Sequence, residues 1–449
     1  MKFIAIITVL ICCVSMFRIN RESKIAILIL GSMLFSLVNV PAVPLHSANM
    51  LLPFSFLLSE LKNLKNLIKQ TRHTIIWNLT GVSIIMVIIT IVTSPHLSDV
   101  TNIRYFIQYE LFFKYFAILY AFWSFGKDEN SIKATLKYTF WGIIILTFFG
   151  LLNYITKTAD FVGTMLDGAE TLYAGDTSLD VNESFTYQDR FRVQSMFVNP
   201  FDYGYICLLI LILHIYGFTQ KKEKKLTFYI VVIGSVFGIV TCGCRTILLC
   251  AVIGFCVYML IAYKLKKKIK YGLFMIFICI GSYLFIPAVQ ETTDKMLSVF
   301  EKNSDVGGSS LEMRTIQYAA VMYHIQDSPL FGCGYNYFNI DLGWGQGKEY
   351  LKDSRLAGLE GVVMNYLLER GFCGLIFYLI FYISLITFCY RNKQYSRSIA
   401  ALGLSILTVY ICFANMTGEL KSVYPTLLIM GYVIKMIYQK RIFRNTKLV

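Results

Sequence analysis

Long apolar runs broken by short polar connections dominate the chain. A helix needs roughly 20 mostly apolar residues to cross a bilayer. Runs near that length fall at 1–17, 25–41, 46–61, 75–94, 103–125, 134–155, 196–218, 226–244, 246–263, 271–289, 367–390, 398–416 and 424–439. The third is the weakest, being short and holding Pro53 and Ser55. The pattern predicts an all-α polytopic integral membrane protein with about 12–13 transmembrane helices and no internal repeat. Met1–Phe17 opens with a lysine and an apolar run but has no small-x-small cleavage site, so a retained first span is expected.

The connections alternate in charge. Those at 18–24, 62–73, 126–137, 220–225, 264–270 and 391–397, with the tail 440–449, hold 26 of the 42 basic residues. Short basic loops mark the cytoplasmic side. Lys221, Lys222, Lys224 and Lys225, then Lys266, Lys267 and Lys268, are the clearest markers. The N-terminus is then expected outside and the C-terminus inside. A merely re-entrant third span would invert the N-terminal part and leave the rest.

Two long connections, 156–191 and 290–360, both fall on the outer side of this topology. Five regions follow: an N-terminal bundle (1–155), an acidic external loop (156–191), spans over 192–289, a large external loop (290–360) and C-terminal spans (361–449). The large loop is rich in aromatics, among them Tyr318, Tyr335 and Trp344. It also holds a helix signal. Ser309-Ser310-Leu311-Glu312 is a capping box. Leu311, Ile316, Ala319, Ala320 and Tyr323 then recur at helical spacing, and Asp327-Ser328-Pro329 ends the run. The expected element is an amphipathic helix lying on the outer membrane–water interface.

Composition agrees with this picture. Apolar residues make up 56% and charged residues 15%, against roughly 25% charged in an average soluble domain. The net charge of +15 would suggest nucleic acid in a soluble protein. Here it is topological, and no nucleic-acid partner is expected. Of the 12 cysteines, Cys207, Cys250, Cys279 and Cys412 sit inside apolar runs as small hydrophobes. No CxxC or Cys/His cluster is present, so neither a metal site nor a disulfide framework is expected. Cys242 and Cys244, flanking Gly243, are the close pair near a membrane surface.

Topology brings three arginines to the outer side: Arg192 before the seventh span, Arg245 after Gly243-Cys244, and Arg314 on the loop helix. A guanidinium binds phosphate in a forked geometry, so these suit a pyrophosphate at a membrane surface. The alternative for Arg192 and Arg314 is an interfacial arginine that snorkels to headgroups. Arg245 lies in a tight turn between two apolar helices, and a buried guanidinium there needs an anionic partner. Glu110 and Lys114, four apart in one span, read as a structural ion pair rather than a proton relay. Asn199 and Asp202 open the seventh span. His324 is a solvated interfacial histidine or a general base. Glu360, where the large loop meets the membrane, is a general base toward a sugar hydroxyl or an exposed loop residue.

Four segments together resemble the O-antigen polymerase and O-antigen ligase superfamily of bacterial polysaccharide assembly. They are Arg192–Tyr203 with Asn199-Pro200; Gly243-Cys244-Arg245-Thr246; Met313-Arg314 through Ser328-Pro329-Leu330-Phe331-Gly332-Cys333-Gly334; and Glu360–Leu375 with Glu369-x-Gly371 and Gly374-Leu375. The likeness covers roughly 190–380. It implies that Arg192, Arg245 and Arg314 hold the undecaprenyl pyrophosphate of a lipid-linked glycan. Ligases of the family typically carry a histidine–asparagine pair where this chain has Glu360 and Gly361, which favours a polymerase.

The resemblance therefore implies a metal-independent glycosyltransferase in the bacterial cytoplasmic membrane, active on its outer face, with no cofactor. It would join lipid-linked repeat units of O-antigen, capsule or exopolysaccharide. Glu360 or His324 would activate the acceptor hydroxyl. Asn199, Asp202, Tyr318, Tyr335 and Trp344 would contact the glycan. The chain-length regulator and flippase of the same pathway are candidate partners. The alternatives are a ligase-type glycan transferase and a transporter for the same lipid-linked glycan.

Overall fold

The computed structural model describes residues 2–34, 48–63, 74–98, 130–157, 186–187, 190–197, 199–266, 268–270, 311–344, 350–359, 361–417 and 423–446, with a few single residues between them. The helices are α1 (Lys2–Ser15), α2 (Arg21–Leu34), α3 (Ala48–Ser59), α4 (Ile75–Thr93), α5 (Asn130–Thr156), α6 (Pro200–Thr219), α7 (Lys225–Thr241), α8 (Arg245–Ala262), α9 (Leu311–His324), α10 (Tyr337–Ile340), α11 (Val362–Arg391), α12 (Arg397–Thr417) and α13 (Val423–Thr446). The described strand structure is one antiparallel pairing of Thr186–Tyr187 with Arg190–Phe191. The chain is an all-α polytopic membrane protein. Among the described helices α4, α5, α6, α8, α11 and α12 are long and apolar enough to cross a membrane. The span expected at 103–125, with its Glu110–Lys114 pair, lies outside the described residues, as do most of 271–289 and most of the 156–191 loop.

Burial ranks these helices. In α6 and α12, 78% and 72% of the apolar window is buried, against at most 33% in the other four. A helix that is apolar all round belongs at the centre of a bundle, and α6 is buried continuously from Tyr203 to His214. Its start is well specified. The Asn199 side chain accepts from the Phe201 amide at 2.8 Å, Pro200 takes the first turn, and Asp202 complements the positive end of the helix.

Contacts along α6 fix how its neighbours run. Gly204 abuts Cys242 and Ile247, while Gly238 abuts Cys207 and Tyr203, so α6 and α7 are antiparallel. Small residues let these backbones approach closely, as in other membrane bundles. Tyr205 stacks on Phe413 at 4.5 Å and its hydroxyl meets that of Thr426 at 2.7 Å. Ser405 donates to the Gly254 carbonyl at 2.6 Å, which runs α8 antiparallel to α12. One layer therefore holds Gly204–Tyr205, Cys242–Ile247 and Phe413.

At the opposite, basic end the first helices are tied together. Lys24 of α2 pairs with Glu60 just beyond α3 at 2.7 Å, and it also donates to Ser59 at 2.9 Å. Asn63 holds the other Glu60 oxygen at 2.8 Å. So α3, with Pro53 inside, is anchored antiparallel to α2, and Gly31 abuts Leu52 further along the pair. Both side chains of the ion pair are at most 7% exposed. Breaking such a pair strands a buried charge at a cost of about 3–5 kcal/mol, whereas replacing both partners is often neutral. Lys24→Met is expected to lower the unfolding temperature in detergent sharply, and Lys24→Met with Glu60→Leu to recover most of the loss. Equal losses in the single and double variants would show that the pair is not what holds α3.

Candidate functional site

Arg192, Arg245 and Arg314 come from three distant segments and lie toward one end of the bundle, the first two at the α7–α8 turn and the third on the last turn of α12. Arg192 lies on the chain entering α6, where the Val193 amide donates to the Thr241 carbonyl at 3.0 Å. Its side chain crosses the α7–α8 turn. The Arg192 Cγ is 3.2 Å from where a Cβ on Gly243 would sit, and Gly243 has φ +64°. Only glycine both turns the chain there and leaves room for the arginine. The Arg192 guanidinium stands 6.0 Å from the Phe201 ring centre. Arg245, half-buried, is the first residue of α8, two residues past Gly243. Arg314 donates to the Met416 carbonyl at 3.0 Å in the last turn of α12.

These contacts share one level. From the layer of Ile247 and Phe413, Arg245 lies about 3 Å and Met416 about 4.5 Å further toward this end, at 1.5 Å per residue. The guanidinium that binds Met416 is thus near the height of Arg245, and Arg192 lies across the turn between α7 and α8.

The described parts of the large loop, 311–344 and 350–359, pack together against α11. Ala320, Val321, Ile325, Phe338, Leu342 and Leu356 form its core and close on Met364, Leu367 and Leu368. Gln317, fully buried, donates to the carbonyls of Ala357 and Gly358 at 3.1 and 3.2 Å. Helix α9 is described from Leu311, and its buried face differs from the expected apolar stripe. Ala320 is buried beside Val321 and Gln317, while Ile316, Tyr318, Ala319, Met322 and Tyr323 are exposed. This outward apolar face is what an interfacial helix presents.

Helix α11 breaks at Gly371, which has φ 59° and ψ −159°. The break leaves backbone groups without helical partners, and the loop supplies them. The Leu368 and Glu369 carbonyls accept from the amides of Cys333 and Gly334 at 2.8 and 3.0 Å. The amides of Phe372 and Cys373 donate to the carbonyls of Pro329 and Leu330 at 2.9 and 3.0 Å. Inside a membrane protein a broken helix persists only when such groups are satisfied by protein. Gly332 and Gly371 meet back to back, each lacking room for a Cβ. The Glu369 carboxylate accepts from the Asn336 amide at 3.0 Å, holding that residue at φ 66°. Arg370, buried, lies 4.5 Å over the Tyr366 ring and 5.7 Å from that of Tyr335. The Tyr335 amide donates to Ser94 at 2.8 Å, joining the loop to the end of α4.

The remaining candidates are placed as follows. Asn199 caps α6 and Asp202 sits in its first turn, half-buried. Tyr318 is exposed on α9, and Trp344 stacks on Phe338 at 5.4 Å. His324, at the end of α9, donates from Nε2 to Asp353 at 3.0 Å, and its Nδ1 lies 3.4 Å from the Tyr337 hydroxyl. Its acidic partner is thus Asp353 and not the nearer-in-sequence Asp327. Arg355 grips Asp353 with two bonds of 3.0 and 2.8 Å. That grip, and then the bond from His324, hold the Asp353 carboxyl well below the usual range. Glu360 lies outside the described residues. Its neighbours Leu359 and Gly361 are buried, and a Cβ on Gly361 would lie 2.9 Å from the carbonyl oxygen of Asn415, one residue before the Arg314 partner. The interactions of Gln317, Glu369 and the Asp353–Arg355 pair have no signal in a single sequence, because their partners come from distant segments or from loop geometry.

Residues 229–379 match the family model described as O-Antigen ligase. The match begins early in α7 and ends inside α11, so it contains Arg245, Arg314, the loop and the break at Gly371, while Arg192 lies before it. It supports the O-antigen polymerase and ligase superfamily, whose members are glycosyltransferase-like enzymes, and a function of the O-antigen polymerase or ligase type. No curated protein matches the chain.

Proposed function

We propose that this protein is a polysaccharide polymerase of the bacterial cytoplasmic membrane, working on its outer face with undecaprenyl-pyrophosphate-linked repeat units. The observation that carries this reading is the gathering of Arg192, Arg245 and Arg314 at one end of the bundle. The bond from the sugar anomeric carbon to the pyrophosphate oxygen breaks, and the electron pair leaves with the lipid pyrophosphate. The same carbon bonds to a hydroxyl at the non-reducing end of a second lipid-linked unit. The acceptor proton passes to a base. Preorganised guanidinium groups stabilise the charge growing on the leaving pyrophosphate.

Glu360 is the better base. The chain on either side of it packs beside Asn415 and Met313, next to Arg314. His324 lies ten residues along α9 from Arg314, about 15 Å away at helical rise, and both of its ring nitrogens are engaged. The ligase alternative draws on the description of the matched family. The polymerase is favoured because Gly361 sits where ligases typically carry the asparagine of their pair. Its φ of +105° and its tight contact with Asn415 strain any other residue.

The test is the glycan made by a deletion strain. Single repeat units on the outer surface, restored to a ladder by the wild-type gene, are expected. Full-length chains left on the lipid carrier point to a ligase, and units trapped on the inner leaflet point to a transporter. Either result overturns the polymerase.

A further inference from the structure

We propose that the loop carries a saccharide-binding pocket around the His324–Asp353 pair, which grips the glycan several sugar units from the pyrophosphate. This rests on the preceding reading only for which glycan is bound. The cavity measures about 620 Å³, within the range of small-molecule sites. Tyr323 and Tyr337 offer aromatic surface, and Asp341, Lys352, Asp353 and Arg355 bring polar groups to it.

The charge pattern selects the ligand. Two carboxylates face one lysine and one arginine, so the lining is close to neutral. The arginine cluster at the α7–α8 turn is suited to phosphate, whereas this lining suits a ligand rich in hydroxyls that both donate and accept. Sugars also present apolar faces that stack on aromatic rings; Arg355 stands 5.2 Å over one face of Tyr323, which leaves its other face and Tyr337 for such stacking.

The pocket is prebuilt. Asp353 is locked by Arg355 and His324, and the His324 Nε2 proton is fixed by that carboxylate. The Lys352 amide donates to the Leu342 carbonyl at 2.9 Å, pinning two sides of the cavity to each other. A rigid site loses little entropy on binding. Its place matters as much as its chemistry. His324 closes α9 and Arg314 lies in its first described turn, about 15 Å apart at helical rise, so one bound glycan can reach from the pocket to Arg314. The sugars would then dock at one end of α9 while the pyrophosphate lies at the other.

The test uses the purified full-length protein in nanodiscs. The probe is the oligosaccharide released by mild acid from the cells' own lipid-linked repeat unit, which has no pyrophosphate. Binding is read by titration calorimetry. Wild type and Arg245→Ala are expected to bind it equally. Asp341→Asn and Lys352→Gln, both at the cavity lining, are expected to weaken binding at least tenfold with unchanged unfolding temperature. Their ladders should shorten through a raised KM for the repeat unit at near-normal kcat.

Unchanged affinity in both lining variants, or no binding by wild type at millimolar probe, overturns the pocket and leaves the polymerase standing. Loss of binding in Arg245→Ala alone places the sugars at the arginines and also overturns it. A deletion strain with full-length chains, together with lining variants that lose binding, removes the polymerase and keeps the pocket.

Discussion

Under the proposed polymerase reading, Arg245→Ala is expected to collapse the glycan ladder to single repeats, with protein levels in the membrane unchanged. The expectation follows from position. Arg245 opens α8, so its guanidinium and the positive end of the helix dipole act on the same volume. Removing one fixed donor aimed at developing charge costs about 10²–10³ in rate. A ladder needs many successive transfers, so such a loss leaves almost no polymer. Arg245→Lys keeps the charge but loses the forked geometry, and should give a short ladder between the two extremes. The measurement is an electrophoretic ladder from a complemented deletion strain, with immunoblotting to match expression. A full ladder from Arg245→Ala would remove this residue from the pyrophosphate clamp.

The second large effect is on structure. A Cβ on Gly371 would lie 2.5 Å from the Leu330 carbonyl carbon and the Pro329 oxygen, and 2.6 Å from the Gly332 nitrogen. All three are backbone atoms, so no side chain can yield. The conformation itself belongs to glycine. Gly371→Ala is therefore expected to prise the loop from the broken helix, at a cost on the order of 4 kcal/mol. The loop should become a protease target between Pro329 and Tyr350, and thermal unfolding in detergent should begin earlier. Gly81→Ala in α4 is the control. Nothing lies within 4 Å of its Cβ position, and alanine favours a helix over glycine by about 1 kcal/mol. If Gly371→Ala matches Gly81→Ala in both assays, the loop is not held by the backbone bonds described.

Much of this architecture is legible in apolar run length. The expected spans 75–94 and 398–416 coincide closely with α4 and α12. The alternation of basic connections anticipated that α2 and α3 share an end, as the Lys24–Glu60 pair shows. The sequence topology places the three arginines on one side, and the structure puts Arg192 and Arg245 at one turn and Arg314 on the last turn of α12. The α9 stripe was read less well. Its periodicity cannot reveal that Gln317 turns inward to meet carbonyls forty residues later. The start of α11 is not legible in apolar run length. The expected span began at 367, yet the helix begins at Val362, since its first turns pack on the loop rather than forming part of one long apolar run. His324 was placed on the loop helix, but its partners Asp353 and Tyr337 come from later turns.

The broken helix also bears on the order of synthesis. The segment that satisfies its freed backbone, Ser328–Gly334, leaves the ribosome about forty residues before Leu368–Cys373. When α11 reaches the bilayer, its partner has already been made. The gap in its hydrogen bonding can then be filled as it forms, and no half-finished helix has to wait in hydrocarbon. A chain permuted so that α11 came first would face that wait with nothing to close the gap.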